Sequence, residues 1–97
     1  MELTISSGLL RRQAGECLSR VSQGDTFVVL RHGHPVAILR PARSWEACRR
    51  ESATLLWRNL RDLLAAARYE PVLITWYGAA AAVLEPVSSG SPLELEP

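Results

Sequence analysis

Lysine is missing from this sequence of 97 residues, which also has only two cysteines. Cys17 and Cys48 are not spaced as a CxxC pair, so they suggest neither a zinc site nor a disulfide framework. We expect both to be reduced and at least half-buried on helices, with a disulfide between them as the alternative. No apolar run approaches the roughly 20 residues that span a bilayer, and no signal segment opens the chain. We therefore expect a cytoplasmic protein without a membrane partner.

The residue patterns of common catalytic sites are missing as well. The sequence has no paired-carboxylate setting, no Ser-His-Asp or Cys-His constellation and no phosphate-binding loop. His32 and His34 flank Gly33, but two histidines in a turn without further ligands make a weak case for a metal site. We expect a protein without enzyme activity, metal or cofactor.

What is present is an ordinary globular composition with an uneven distribution of charge. Hydrophobic residues make up 47% and charged residues 22% of the chain, which argues against disorder and fits one small domain. Residues 1–50 hold eight arginines and four acids, whereas residues 51–97 hold three arginines and six acids. Arginine suits bidentate contacts with phosphate and guanine, so the basic first half is the candidate for binding an anionic partner.

The first half opens with the pattern of a short strand and a helix. Residues 2–5 alternate between polar and apolar, and Ser6 and Ser7 are good N-cap residues. Apolar side chains then recur at the spacing i, i+4, i+7, i+8 and i+11 of one helix face: Leu10, Ala14, Cys17, Leu18 and Val21.

A β-hairpin is predicted after this helix, for which Gly24 provides a suitable C-terminal end. Two β-rich runs, residues 27–30 and 36–39, are joined by a turn in which Gly33 supplies a positive φ. Pro41 then ends the second strand.

The second half repeats this order. Ser52 is placed to cap a helix whose apolar face has the same spacing: Leu56, Leu60, Leu63, Leu64 and Ala67. The offset between aligned positions is 46 residues in the helices and, after a loop one residue shorter, 45 in the hairpins. Gly33 then aligns with Gly78, and Pro41 aligns with Pro86.

These patterns predict an α+β fold made of two tandem helix–β-hairpin units, the first preceded by a short strand. We expect a single compact domain over residues 1–97: repeat one at 1–43, a helical linker at 44–50, repeat two at 51–87 and a disordered tail at 88–97. The linker, capped by Ser44, shows no counterpart of the first strand. One unit alone cannot cover its own helix and hairpin faces, so we expect the copies to pack as an intramolecular pseudo-dimer.

Two segments carry a resemblance to a known family. Residues 5–13, Ile-Ser-Ser-Gly-Leu-Leu-Arg-Arg-Gln, and residues 28–39, which contain Arg-His-Gly-His-Pro-Val-Ala, resemble the N-terminal domain of Phd/YefM-type antitoxins. The match covers residues 1–41 and, more weakly, residues 51–87, where residues 56–64 resemble the helix of that family. The resemblance implies a sheet-based dimer that binds double-stranded operator DNA and represses its own toxin–antitoxin operon. It also implies a separate C-terminal segment that blocks the toxin.

The resemblance further implies which side chains face DNA: Ser6, Arg11, Arg12, Arg31, His32 and Arg58. A helix N-terminus presents free N–H groups and the positive end of the helix dipole to a phosphate, which suits the position of Ser6. Arg11 and Arg12 flank the apolar stripe, and Arg31 at a hairpin end can reach a groove of DNA. The alternative is that these arginines only form a solvated face.

The second copy departs from the family at most of these positions. Aromatic residues stand where the first copy has DNA-facing side chains: Trp57 for Arg11, Trp76 for Arg31 and Tyr77 for His32. The three aromatic residues either form an interface cluster or pack within the core. A chain with one basic side either binds a half-site or forms a homodimer that presents two such sides.

The tail is shorter than the toxin-wrapping segment of the family, and Leu93 and Leu95 are its candidate residues for docking a cognate toxin. The leading hypothesis is a DNA-binding transcriptional repressor of antitoxin type that autoregulates a toxin–antitoxin operon. The alternative is a protein-interaction module, either toxin-binding or a dimerisation scaffold, that has kept the fold and lost DNA binding.

Overall fold

The computed structural model describes residues 2–43 and 49–87, which form six strands and four helices in a mixed α+β fold. In chain order the elements are β1 (Glu2–Ser6), α1 (Ser7–Arg12), α2 (Ala14–Ser22), β2 (Thr26–Arg31), β3 (His34–Pro41), β4 (Arg49–Ser52), α3 (Leu55–Arg58), α4 (Leu60–Ala67), β5 (Val72–Trp76) and β6 (Ala79–Pro86). The α+β class predicted from the sequence is confirmed. None of the helices in this part of the chain has the length and hydrophobicity that crossing a bilayer requires.

All six strands belong to one sheet with the order β1-β2-β3-β6-β5-β4. The two outermost pairs, β1–β2 and β4–β5, are parallel, and the three inner pairs are antiparallel. β3 and β6 meet at the centre, where Leu39 pairs with Leu84. Arg40 of β3 donates a hydrogen bond of 3.0 Å from its Nε to Oε1 of Glu85 on β6. Backbone pairing and a side-chain contact therefore join the two hairpins into one sheet.

The helices pack on the face of the sheet that carries Leu39 and Leu84, and α2 and α4 each contact both β3 and β6. Both helix faces predicted from the sequence are buried, with every residue at most 6% exposed: Leu10, Ala14, Cys17, Leu18, Val21, Leu56, Leu60, Leu63, Leu64 and Ala67. Together with Val29 and Ile74 from the hairpins, they form a single hydrophobic core.

Cys17 is a free thiol within this core, as expected for a reduced and buried cysteine. Burial and, to a smaller extent, the neighbouring Glu16 carboxylate raise the pKa of this thiol, because both disfavour the thiolate. Cys48 lies outside the described residues. The same holds for Ser44, the predicted cap of the linker, and for residues 88–97, the predicted tail.

Each helix predicted from the periodicity is interrupted once. Gln13, at φ −121° and ψ 35°, separates α1 from α2, and Asn59, at φ −149° and ψ 52°, separates α3 from α4. Gln13 and Asn59 are aligned positions in the two halves. Apolar periodicity predicts continuous helices here, because a one-residue break leaves the same face of both segments turned toward the core.

Each repeat has a predicted cap at the start of its helix, and one is confirmed while the other is wrong. Ser6 caps α1, and its Oγ accepts a hydrogen bond of 3.1 Å from the backbone N–H of Leu9. Ser52 is the last residue of β4, and α3 starts only at Leu55, with Thr54 as its N-cap. The hydroxyl of Ser52 instead accepts a hydrogen bond of 3.2 Å from the backbone N–H of Thr54.

The prediction of a helical linker is wrong at residues 49–50, because Arg49 and Arg50 begin β4. β4 pairs in parallel with β5, as β1 pairs with β2, so the first strand does have a counterpart. The short run Arg-Arg-Glu-Ser contains no apolar residue and therefore lacks the alternation that signals a strand. A short, charged strand of this kind is typical of the edge of a sheet.

Both hairpins turn through two residues with positive φ. These are His32 and Gly33, at 53° and 79°, and Tyr77 and Gly78, at 53° and 77°. Two successive positive φ angles define the type I′ turn that suits the twist of a hairpin. The first turn is thus two residues long rather than the five predicted at residues 31–35, because the strands extend to Arg31 and His34.

Replacing Gly33 by alanine should destabilise the protein by about 1–2 kcal/mol, because an L side chain is strained in the left-handed region. Gly8 is the matched control, since it lies in α1 and a Cβ there would meet nothing within 4 Å. Gly8→Ala should leave stability unchanged or raise it by up to about 1 kcal/mol, because alanine favours helix. Urea denaturation of both variants measures the difference, and equal losses would contradict the turn assignment.

Candidate functional site

Two of the arginines that the family resemblance assigns to DNA lie around one surface groove. Arg11 extends from α1, and Arg31 is the last residue of β2 before the hairpin turn. Both line a groove whose other first-half residues are Ser7 and Gly8 at the start of α1. The hydrogen bond from the Leu9 N–H to the Oγ of Ser6 fixes this start, so Ser6 positions one wall of the groove.

The opposite wall of this groove comes from α4 in the second half of the chain, with Leu60, Arg61 and Leu64. A larger groove adjoins it and shares Arg31, Arg61 and Leu64. Arg68 lies at the C-terminal end of α4 and lines only the larger groove.

We call the two adjoining depressions the arginine groove, after the four cations that line them: Arg11, Arg31, Arg61 and Arg68. The floor of the larger part is apolar, with Pro35 and Val36 from β3 and Pro86 and Val87 at the end of β6. No acidic residue of the described chain lines either part.

The four cations of the arginine groove make no ion pair with the part of the chain that the structure describes. Several arginines elsewhere are paired: Arg20 with Asp25 at 3.1 Å, Arg40 with Glu85 at 3.0 Å and Arg49 with Glu51 at 2.8 Å. An arginine without a carboxylate partner keeps its donors available for phosphate or carboxylate groups. The groove therefore combines positive charge with free hydrogen-bonding capacity.

Other residues assigned to DNA are not part of this groove. Arg12 and Arg58 are exposed at the ends of α1 and α3, and neither lines it. His32 is exposed at the tip of the first hairpin, next to Arg31. The structure thus brings Arg11 and Arg31 together in one groove, whereas Arg12, His32 and Arg58 do not line it.

Arg61 and Arg68 are groove residues that the sequence comparison between repeats missed. They align with Gly15 and Ser22 of the first half, so the family resemblance offers no role for them. The only signal is their spacing of seven residues, which places two cations on one face of a helix. The residues next to that face are determined by the packing of α4 against the first hairpin. The sequence alone does not show this packing.

A third groove combines the tip of the second hairpin with the end of a helix from the first half. Trp76 and Tyr77 at the tip of the second hairpin line it together with Ser22 at the end of α2, and we call it the aromatic groove. Its other lining residues are Pro41, Ala42, Ala80 and Ala81. The sequence repeat aligns these positions with residues of the arginine groove: Trp76 with Arg31, Ser22 with Arg68, and Ala80 with Pro35.

The predicted aromatic cluster is only partly assembled. The rings of Trp76 and Tyr77 stack with centroids 5.7 Å apart and an interplanar angle of 18°. Trp76 also packs against the hydrophobic core, whereas Tyr77 is 94% exposed. Trp57 is 41% exposed on α3 and does not line the aromatic groove. Leu93 and Leu95, the candidate residues for toxin docking, lie outside the described residues.

The chain matches no known family model, and neither a curated protein nor a solved structure is significantly similar to it. The likeness to Phd/YefM-type antitoxins therefore rests on the residues quoted above. Among the described residues, no three His, Cys, Asp or Glu side chains lie close enough to hold a metal ion together.

The two stacked aromatic residues should differ in their effect on stability. Trp76→Ala removes a partly buried indole and should lower the free energy of unfolding by about 1–3 kcal/mol. Tyr77→Asn removes an exposed ring and creates the Asn-Gly pair that type I′ turns prefer, so stability should be unchanged or higher. Urea denaturation followed by circular dichroism tests this, and an equal loss in both variants would show that Tyr77 contributes to the core.

Proposed function

We propose that this chain is a DNA-binding transcriptional repressor of antitoxin type, built as an intramolecular pseudo-dimer of two Phd/YefM-like units. The register of the central strands supports the pseudo-dimer. Leu39 and Leu84 are aligned positions in the repeat and pair with each other, while Ala37 pairs with Pro86 as Pro41 pairs with Ala82. Such reciprocal pairing is expected when two copies of one unit meet around a two-fold axis.

Local irregularities recur at aligned positions and support the same proposal. The ladder register shifts after Val29 in the first hairpin and after Ile74 in the second. The helix breaks at Gln13 and Asn59 and the two type I′ turns also correspond. Bulges and helix breaks are specific features of a fold, and their recurrence is difficult to attribute to amphipathic patterning alone.

The observation that carries the DNA-binding proposal is the shared groove of Arg11 and Arg31. These two positions were assigned to DNA from the resemblance alone, and they are separated by the whole of α2 in the chain. Both line one groove, and no described acid neutralises either of them. Unpaired guanidinium groups at an open surface suit the bidentate binding of phosphate oxygens.

In this proposal each chain contacts DNA through one side only, because the aromatic groove has no cation among its lining residues. A palindromic operator would then bind two chains, each on one half-site. The proposed repressor acts on the operon that encodes it. A cognate toxin is the second partner of the protein.

A second candidate function is a protein-interaction module. The exposed ring of Tyr77 and the half-exposed Trp57 favour it, because aromatic residues are enriched at protein interfaces. This candidate predicts that the purified protein retards no DNA from upstream of its own gene and instead co-purifies with a protein partner.

The double variant R11Q/R31Q should bind the duplex upstream of the protein's own gene more weakly than the wild type. Each lost phosphate contact lowers the slope of log K against log salt by about 0.9, so we expect a slope flatter by about 2. The affinity at about 100 mM salt should fall by roughly tenfold or more. Gel retardation at several salt concentrations measures both quantities.

The control variant is R20Q/R49Q, which removes the same net charge from arginines that are paired with Asp25 and Glu51 outside the arginine groove. Its affinity and salt slope should remain close to those of the wild type, because exposed charges far from the contact are screened. A wild type that retards no duplex, or a control as weak as R11Q/R31Q, would contradict the proposal.

A further inference from the structure

We infer that Arg61 and Arg68 contact DNA phosphates, so that the arginine groove is one composite site built from both halves of the chain. The inference rests on the proposed function, which involves only the first-half residues Arg11 and Arg31. It adds two residues of the second half, which the family resemblance does not assign to DNA.

Continuity of the lining residues is the first argument. Arg31 and Arg61 line both parts of the groove, Arg11 lines only the smaller part and Arg68 only the larger. The four cations therefore form a path from α1, past the tip of the first hairpin, to the C-terminal end of α4. A DNA backbone held by Arg11 and Arg31 would continue along this path.

The spacing along α4 is the second argument. Arg61 and Arg68 are seven residues apart, and Arg68 still has helical backbone angles, φ −69° and ψ −22°. A helix rises 1.5 Å per residue, so the two Cα atoms are about 10 Å apart along its axis. Phosphates of one DNA strand are separated by 3.4 Å along the duplex axis. The two guanidinium groups can thus reach different phosphates instead of competing for one.

The acids that the structure describes in the second half do not line the arginine groove, although that half is acidic as a whole. Asp62 accepts a hydrogen bond of 2.7 Å from Nδ2 of Asn59, and Glu85 accepts one of 3.0 Å from Nε of Arg40. Neither of these carboxylates lines the arginine groove. Among the described residues, the charged side chains that line the groove are therefore all positive.

The composite site occurs once in the part of the chain that the structure describes. At the positions aligned with Arg61, Arg68 and Arg31, the other half has Gly15, Ser22 and Trp76, of which Ser22 and Trp76 line the aromatic groove. These substitutions remove every cation from the lining. Ser19 and Gln23 supply the positions for a control, because both are exposed and neither lines the arginine groove or the aromatic groove.

The test uses the full chain and the duplex upstream of its own gene. R61Q/R68Q should lose on the order of tenfold to a hundredfold in affinity at about 100 mM salt, with a salt slope flatter by about 2. R61K/R68K retains both charges and should keep most of the slope. The relocated variant R61Q/R68Q/S19R/Q23R has the net charge of the wild type and should bind as weakly as R61Q/R68Q.

Three results would overturn the inference. If R61Q/R68Q binds like the wild type while R11Q/R31Q is weakened, the proposed function stands and the composite site does not. Such a result would favour an acidic polypeptide as the ligand of the larger groove. If relocation restores the affinity, net charge is responsible and the groove is not. If the wild type retards no duplex, both the inference and the proposed function fail. Circular dichroism serves to check that each variant is folded. If glutamine destabilises α4, R61K/R68K provides a second comparison.

Discussion

Pairing between β3 and β6 is the interaction on which the rest of the structure depends. It places Leu39 against Leu84 at the centre of the sheet, where both side chains are completely buried. Without it, each hairpin would expose a long strand edge and each helix pair would lack half of the surface it covers. Because α2 and α4 both lie across β3 and β6, the pairing also brings the tip of each hairpin next to a helix of the other half. Every groove described above results from that arrangement.

Because the tip of each hairpin lies next to a helix of the other half, charge counted along the chain is a poor guide to charge on the surface. The second half carries three arginines and six acids, yet it supplies two of the four cations of the arginine groove. The first half is basic, yet it contributes the uncharged Ser22 to the aromatic groove. A surface built across two segments takes its charge from the positions that meet there, and most charges of either segment lie elsewhere.

The features that the sequence predicts are those decided within one segment. Apolar spacing identifies both buried helix faces, and Gly33 identifies a turn, because burial of a helix face and a positive φ leave a local signal. β4 leaves none, since Arg49 to Ser52 become a strand only by pairing with β5. The same distinction applies to the residues of the arginine groove. The family resemblance, which rests on residues of one repeat, names Arg11 and Arg31, whereas Arg61 joins them only through packing between the halves.

In the proposed pseudo-dimer both units lie in one chain, so aligned positions can hold different residues, which a symmetric dimer of identical chains does not allow. In a symmetric dimer, an arginine at the position of Arg40 would recur at the equivalent position of the other copy. Here the aligned position holds Glu85, and the two form a hydrogen-bonded ion pair with N–O distance 3.0 Å. The two grooves also differ at aligned positions. Gly15 lies beside the indole of Trp76, whose Cη2 would be 3.9 Å from a Cβ at that position, whereas Arg61 lines the other groove together with Arg31. Each groove takes its hairpin tip from one half and its helix from the other. The difference between the two grooves therefore arises from residues of both halves.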